Sequence, residues 1–308
     1  LMSETLQLVA AFNHLHIFID PNPEPASSFA ERKRLFDLPR SAWSDYDTSI
    51  MSEGGGIFPR SAKSIAISPQ MKERFAIEAD RLTPTELLNA LLKAPVDLLW
   101  NGGIGTYVKA STESHADVGD KANDALRVNG NELRCKVVGE GGNLGMTQLG
   151  RVEFGLNGGA TNTDFIDNAG GVDCSDHEVN IKILLNEVVQ GGDMTEKQRN
   201  QLLGSMTDEV AGLVLGNNYK QTQALSLAAR RARERIAEYK RLMADLEARG
   251  KLDRAIEFLP SEEQLAERLA AGHGLTRAEL SVLISYSKID LKEQLLNSLV
   301  PDLSLIHI

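Results

Sequence analysis

The chain has 308 residues, 42% of them apolar and 25% charged, so it is long enough for two domains and can bury a sizeable core. Its net charge of −10 disfavours nucleic acid as a partner, because phosphate binding needs clustered Lys and Arg. No apolar run approaches the roughly 20 residues that span a bilayer, and two cysteines are too few for a disulfide framework. We therefore expect a cytoplasmic protein without membrane contact.

The first segment predicts a helix followed by a strand. Residues 1–13 carry apolar side chains at helical spacing, and the β-branched and aromatic residues of 16–20 end in Asp20 before a proline turn. In a dinucleotide-binding fold, an acid placed there hydrogen-bonds the adenine ribose; the alternative is a turn-initiating acid. The glycine fingerprint G-x-G-x-x-G matches none of the glycine clusters, so we expect it upstream of Leu1.

A second strand ends in a polar, glycine-rich turn. Residues 24–70 read as an irregular loop, and Ser68 and Thr83 then cap two predicted helices. The buried-type strand over 96–100 runs directly into Asn101, Gly102 and Gly103. Glycines after a strand let a ligand approach the backbone, and Asn offers both a donor and an acceptor. This pattern indicates a ligand crevice, with a tight strand-to-helix turn as the alternative.

The densest glycine cluster follows a third strand. Residues 135–139 predict the strand, 140–148 a glycine-rich loop, and a helix should begin at about Ser175. This order is typical of a small-molecule pocket at the carboxyl edge of a parallel sheet. Alternation of strands and helices over residues 1–175 therefore predicts an α/β fold with a doubly wound parallel sheet.

Beyond residue 193 the chain reads as nearly all helical. Thr195, Ser261 and Thr276 each open a capping box. Apolar side chains predict one face of a single long helix, which Gly250 would end: Leu225, Ala229, Ala232, Ile236, Tyr239, Met243 and Leu246.

Two glycine-containing motifs resemble those of glutamate dehydrogenases. Glu140-Gly141-Gly142-Asn143 resembles the EGAN signature of that family, with Gly in place of Ala, and Asn168-Ala169-Gly170-Gly171-Val172 followed by Ser175 resembles its NAGGVxxS signature. The segments LFDLPRSAWSDYD, VDLLWNGGIGTYVKAS and GVDCSDHEVNIKILL resemble the large bacterial NAD-dependent glutamate dehydrogenases in particular. The resemblance covers almost all of residues 1–302.

This resemblance implies roles for the matching residues. Asn143 would lie against the nicotinamide ribose, Asn168 at the nicotinamide side of the cleft, and Ser175 would hold the side-chain carboxylate of L-glutamate or 2-oxoglutarate. Residues 101–103 would line the cofactor crevice. Asp20 would hold the adenine ribose, which favours NAD over NADP because a 2′-phosphate would meet a carboxylate.

The resemblance also implies how the chain is divided. Residues 1–190 would be part of a Rossmann-like NAD-binding domain without its first strand and glycine loop, and residues 191–302 a helical C-terminal region. The last six residues, 303–308, resemble a translated sequencing adapter and are expected to be non-native. The catalytic Lys and Asp of the family belong to an upstream domain. We therefore expect no catalytic residue here, no activity from this fragment alone, and a homo-oligomer in the full-length protein.

Three other interpretations remain open. The chain could be a non-catalytic nucleotide-binding or assembly module, or part of a dehydrogenase for an apolar amino acid, although Ser175 argues against the latter because its hydroxyl would be left unpaired. Cys174 and His177 could suggest a nucleophile or a metal site. Adjacent residues at a helix start rarely point at one centre, so we predict no metal there and read Ser175 as a helix N-cap compatible with substrate binding.

Overall fold

A computed structural model describes residues 2–300. It divides the chain into two compact units, one built from residues up to 99 together with 105–137, the other from 100–104 together with 138 onward. The boundary expected near residue 190 separates a cofactor domain from a helical region, rather than two compact units. It stays a prediction. The expected non-native tail, 303–308, lies outside the described residues.

The elements of the described chain are numbered here in chain order. The strands are β1 (Ala10–Phe12), β2 (His16–Ile19), β3 (Gly56–Pro59), β4 (Ile65–Ala66), β5 (Arg81–Leu82), β6 (Leu98–Asn101), β7 (Val108–Lys109), β8 (Val128–Asn129), β9 (Val137–Glu140) and β10 (Ala160–Thr161). The helices are α1 (Pro25–Asp37), α2 (Pro69–Phe75), α3 (Pro84–Leu92), α4 (His115–Val118), α5 (Gln148–Leu156), α6 (Asp164–Asp167), α7 (Gly170–Gln190), α8 (Glu196–Ser205), α9 (Thr207–Arg230), α10 (Ile236–Ala248), α11 (Glu262–Ala270) and α12 (Arg277–Leu296).

The first unit opens with an antiparallel sheet in the order β1-β2-β3. The strand predicted over 16–20 is confirmed, but the helix predicted over 1–13 is wrong. Ala10 pairs with Ile19, and the Asn13 side chain turns the chain back by accepting hydrogen bonds from the Leu15 and His16 amides, both at 2.8 Å. Pairing with β2 satisfies the backbone of β1, so tertiary contact overrides the helical spacing.

Local capping chemistry places the helices of the first unit. Ser68 caps α2, with its hydroxyl accepting from the Met71 amide at 3.1 Å, and Thr83 caps α3 in the predicted capping box with Glu86. The stretch 24–70, expected to be irregular, contains α1, whose N-cap is Glu24. Glu24 is outside the usual set of Ser, Thr, Asp and Asn, so no capping signal marked this helix in the sequence.

Parallel pairing is present in two places. β7 and β8 run parallel. The amide of Val137 donates to the Asp97 carbonyl at 3.0 Å and that of Gly141 to the Asn101 carbonyl at 2.7 Å, with the same offset, so β6 and β9 also run parallel. These two strands belong to a sheet in the order β10-β9-β6. The chain is therefore an α/β protein with parallel strands.

The second unit is mostly helical, and its core gathers residues from several helices. The predicted capping boxes at Thr195, Ser261 and Thr276 are confirmed. The single long helix predicted over 225–246 is wrong, because α9 ends at Arg230 and α10 begins at Ile236. A straight helix would separate the two ends by roughly 30 Å. The break lets Leu225, Met243 and Leu246 share one core cluster.

No helix within residues 2–300 is long and apolar enough to cross a membrane.

Candidate functional site

The glycine loop of residues 141–146 lies between β9 and α5 in the second unit. Val138 and Glu140 at the end of β9 are buried. Thr147 starts α5 by accepting from the Gly150 amide at 3.0 Å. The loop is thus fixed at both ends, although the helix that follows it, α5, begins at Gln148 and was not predicted.

The glycines of this loop pack directly against the segment that follows β6. A Cβ atom on Gly142 would lie 2.7 Å from the Gly103 carbonyl oxygen, and one on Gly145 would overlap the Asn101 side-chain amide. Two segments that the sequence identified separately, 101–103 and 141–145, are therefore adjacent at the carboxyl ends of two parallel strands. That edge is where ligands bind in open α/β sheets.

Asn101 carries an unpaired hydrogen-bond donor. Its Nδ2 atom is buried and has no hydrogen-bond partner among the described residues, while its Oδ1 accepts from the Gly103 amide at 3.4 Å. A Cβ on Gly103 would meet no atom within 4 Å, so the space on that side of the residue is open. A buried unpaired donor beside open space fits a ligand that brings hydrogen-bond acceptors, as a nicotinamide dinucleotide does.

Asn143 and Asn168 lie together. The Asn168 Nδ2 donates to the Asn143 Oδ1 at 2.8 Å, which joins the loop to the residue that ends α6. The two signature motifs therefore meet through the asparagine side chains that the resemblance singled out.

Acidic side chains hold the shape of the loop. Leu144 has a left-handed backbone with φ of 56°, and its amide donates to the Asp164 Oδ2 at 2.8 Å. Glu140 accepts from the Met146 amide at 3.1 Å and from the Arg151 guanidinium at 2.6 and 2.9 Å. Burial raises the pKa of Glu140, and the Arg151 guanidinium opposes that shift.

Sequence reasoning assigned no role to these supporting residues. Arg151 lies on α5 between buried neighbours, where a charge needs a buried partner. Asp164 and Asp167 are one turn apart on α6, so both can face one loop. These two features are the sequence signals from which the network could have been predicted.

Ser175 lies in the interior of α7. The helix begins at Gly170 with Ala169 as its cap, so the interpretation of Ser175 as an N-cap is wrong. Its hydroxyl donates to the Gly171 carbonyl one turn earlier at 3.1 Å, and the residue is exposed. Cys174 is also exposed, and His177 lies 3.7 Å from the Asp173 carboxylate. In the part of the chain that the structure describes, no group of three or more His, Cys, Asp or Glu could hold a metal.

Asp20 belongs to the first unit. It is 1% exposed and follows the central strand of the antiparallel sheet. Its carboxylate accepts from the Ser52 amide at 3.1 Å and from the Ser52 hydroxyl. Ser52 in turn accepts from the Asn22 amide at 3.0 Å. The acid therefore connects the end of β2 to the loop that precedes β3.

Comparison with known proteins agrees with the glycine-loop and asparagine motifs. A family model described as "bacterial NAD-glutamate dehydrogenase, catalytic domain" matches residues 1–228, and one described as "glutamate dehydrogenase, C-terminal" matches residues 272–307. The first match covers well over half of the chain, so the chain is a member of a dehydrogenase family. The chain belongs to the bacterial NAD-glutamate dehydrogenase family.

Three curated relatives are called NAD-specific glutamate dehydrogenase. The one from Pseudomonas aeruginosa is 83% identical over 302 residues, and the one from Halomonas elongata is 65% identical over 302 residues. The one from Mycobacterium tuberculosis is 52% identical over 308 residues. Each match covers 98% of this chain and 19% of the relative, so the chain spans about a fifth of their length.

Proposed function

We propose that this chain is part of an oxidoreductase that converts L-glutamate to 2-oxoglutarate and ammonia with NAD. The observation that carries the proposal is the hydrogen bond between Asn143 and Asn168 on a glycine loop that packs against residues 101–103, where two parallel strands end. Family membership and the printed names of the relatives support the choice of reaction. When bound, NAD would accept the hydride that leaves the α-carbon of glutamate.

In this proposal the polar residues have separate tasks. Asn101, Gly102 and Gly103 line the cofactor crevice, and the open space beside Gly103 allows a flat group to come close. Asn143 and Asn168 contact the nicotinamide side, where their mutual hydrogen bond holds both side chains in one orientation. Orienting the two reactants is the protein's main contribution to such a transfer, because the cofactor supplies the hydride chemistry.

Ser175 is proposed to hold the side-chain carboxylate of the substrate. It lies in the second turn of α7 with its side chain exposed, so its hydroxyl is accessible to a substrate carboxylate. Its hydroxyl donates to the Gly171 carbonyl, and rotation about χ1 redirects that donor to a carboxylate.

Asp20 is proposed to hydrogen-bond the adenine ribose, on the basis of the family resemblance alone. A doubly wound, Rossmann-like sheet is also proposed, on the ground that β6 and β9 are parallel and both end at the glycine segments. The split into a cofactor domain (1–190) and a helical region (191–302), cytoplasmic location and homo-oligomeric assembly belong to the same proposal.

The test uses the full-length enzyme that contains this chain. We expect glutamate-dependent formation of NADH, with little or no rate when leucine or phenylalanine replaces glutamate. NAD binding without turnover of any amino acid would instead support the non-catalytic module. A higher rate with leucine or phenylalanine would support a dehydrogenase for an apolar amino acid.

Two serine variants, one at the site and one as a control, test the substrate contact. Ser175→Ala should raise the KM for glutamate by roughly 10- to 150-fold, the range of one hydrogen bond to a charged group. Ser287→Ala is the matched control, because the Ser287 hydroxyl also donates to a carbonyl one turn back, at 2.8 Å, on α12. An unchanged KM for glutamate in Ser175→Ala would contradict the proposed contact between Ser175 and the substrate carboxylate.

A further inference from the structure

Helix α6 fixes the glycine loop from one side. Its first residue, Asp164, accepts from the Leu144 amide at 2.8 Å, and its last, Asp167, accepts from the Glu140 amide at 3.2 Å. Asn168, which follows the helix, donates to Asn143. A displacement of this single turn would therefore move the loop at Asn143 and Leu144, and the end of β9 at Glu140.

The same turn is held from the other side by the helical part of the unit. The Asn162 Nδ2 donates to the Asp167 Oδ1 at 2.7 Å, and the Arg277 Nε donates to the Asn162 Oδ1 at 2.9 Å. Arg277 also donates from Nη1 to the Ser226 hydroxyl at 3.2 Å. Arg277, Asn162 and Asp167 thus form one hydrogen-bonded chain from α12 to α6.

Arg277 is mounted on a rigid support. It is the first residue of α12, and the cap before it, Thr276, is buried and accepts from the Glu279 amide at 3.4 Å. The next turn of α12 is buried as well. The Gln148 Nε2 of α5 donates to the Ala278 carbonyl at 3.3 Å. This support restricts the movement of the guanidinium. A residue that positions others needs such restriction.

We propose that Arg277 is a positioning residue for the cofactor site, setting Asn143 and Asn168 through Asn162 and Asp167. The inference rests on the proposed function, because it assigns those asparagines to the cofactor. It gives the helical C-terminal region a task in the reaction: the start of α12 determines where the loop asparagines lie. Arginine suits the task because its planar fork donates in two fixed directions, to Asn162 and to Ser226.

The test compares two arginine variants of the full-length enzyme. Arg277→Met removes the chain of hydrogen bonds and keeps most of the apolar volume. Arg249→Met is the matched control, since Arg249 binds Asp245 and Asp290 at 2.6 and 2.7 Å, away from α6. Arg277→Met should raise the KM for NAD by roughly 2- to 30-fold, the range for residues that act through a network, with a smaller change in kcat. Arg249→Met should leave both constants unchanged.

A second readout does not depend on turnover. Amide hydrogen exchange of the cofactor-free full-length enzyme should be faster at Leu144 and its neighbours in Arg277→Met than in the wild type or in Arg249→Met. The reason is that the Leu144 amide donates to Asp164 on α6, the helix that the Arg277 chain holds in place. Asn162→Ala should reproduce both effects. Adding Arg277→Met to Asn162→Ala should change little further, since both act in one chain.

The possible outcomes distinguish the positioning role of Arg277 from the proposed function of the enzyme. Unchanged exchange and an unchanged KM for NAD in a folded Arg277→Met enzyme overturn the positioning role, as does additivity with Asn162→Ala. If Arg277→Met does not fold, Asn162→Ala decides the question by the same two measurements. A wild-type enzyme that does not oxidise glutamate overturns the proposed function, while hydrogen exchange still tests whether Arg277 controls the loop.

Discussion

The Asn168 side chain donates a hydrogen bond of 2.8 Å to the Asn143 side chain, 25 positions earlier in the chain. If the pair acts as one unit on the nicotinamide, Asn143→Ala and Asn168→Ala should each raise the KM for NAD in the full-length enzyme. In the double variant the KM for NAD should rise by less than the product of the two single increases. The corresponding coupling free energy should be about 0.5–3 kcal/mol. Strictly additive effects in a double-mutant cycle would contradict a shared role.

The ion pair of Glu140 and Arg151 should be costly to break on one side only. The two side chains are 0% and 4% exposed. Arg151→Met leaves a buried carboxylate without its partner and should lower the free energy of unfolding by about 3–5 kcal/mol. Glu140→Gln combined with Arg151→Met should recover part of that loss. Urea unfolding of the chain measures both; a double variant less stable than Arg151→Met would refute this account.

Two glycines of the site should respond differently to an added methyl group. Gly145→Ala places its Cβ against the Asn101 amide and 3.1 Å from the Glu140 carboxylate, both held by packing. We expect it to lower the free energy of unfolding by about 1–3 kcal/mol. Gly103→Ala meets open space and should stay within about 0.5 kcal/mol of the wild type. Equal losses in thermal or urea unfolding would mean that Asn101 moves aside freely.

The link between α10 and α12 should weaken in acid. Arg249 and Lys251 donate to Asp290 at 2.7 and 2.5 Å and hold the pKa of that carboxyl well below its usual range. A carboxyl with a depressed pKa contributes stability above its unfolded pKa of about 3.9 and loses it as the pH falls further. Below about pH 4 the stability of Asp290→Asn should therefore fall less steeply than that of the wild type in urea unfolding. Parallel pH profiles would show that the ion pairs add nothing.

The two cysteines should differ in reactivity. Burial raises the pKa of the Cys135 thiol to about 11, whereas Cys174 is exposed on α7. Since the thiolate is the nucleophile, iodoacetamide at neutral pH should modify Cys174 first and Cys135 only when the chain opens. Peptide mass spectrometry over time gives both rates, and fast labelling of Cys135 in the native chain would contradict its burial.

Local chemistry was predictable from the sequence. The capping boxes at Thr83, Thr195, Ser261 and Thr276 form as expected, because each involves residues within one turn. The failures come where distant partners decide. Residues 10–12 form a strand because β2 supplies the hydrogen bonds, and α9 breaks because α9 and α10 share one core.

The same distinction applies to the candidate site: residues in local motifs were predictable, and residues placed by distant contacts were not. The glycine loop and its asparagines carry motifs, so Asn143 and Asn168 were identifiable, although their direct hydrogen bond was not. Arg277 lies 115 positions from Asn162, and no spacing rule connects residues so far apart. Supporting residues of this kind emerge only when the fold brings their elements together.

Leu144 keeps a left-handed backbone among three glycines, although its side chain is 63% exposed. Such a conformation costs a branched residue roughly 1–2 kcal/mol, which glycine would avoid. Drift toward stability alone would therefore replace this leucine by glycine or asparagine. We expect a saturation library at position 144, scored separately for folding and for turnover, to rank the residues in different orders, because the backbone favours glycine while the exposed apolar side chain lies at the tip of the loop.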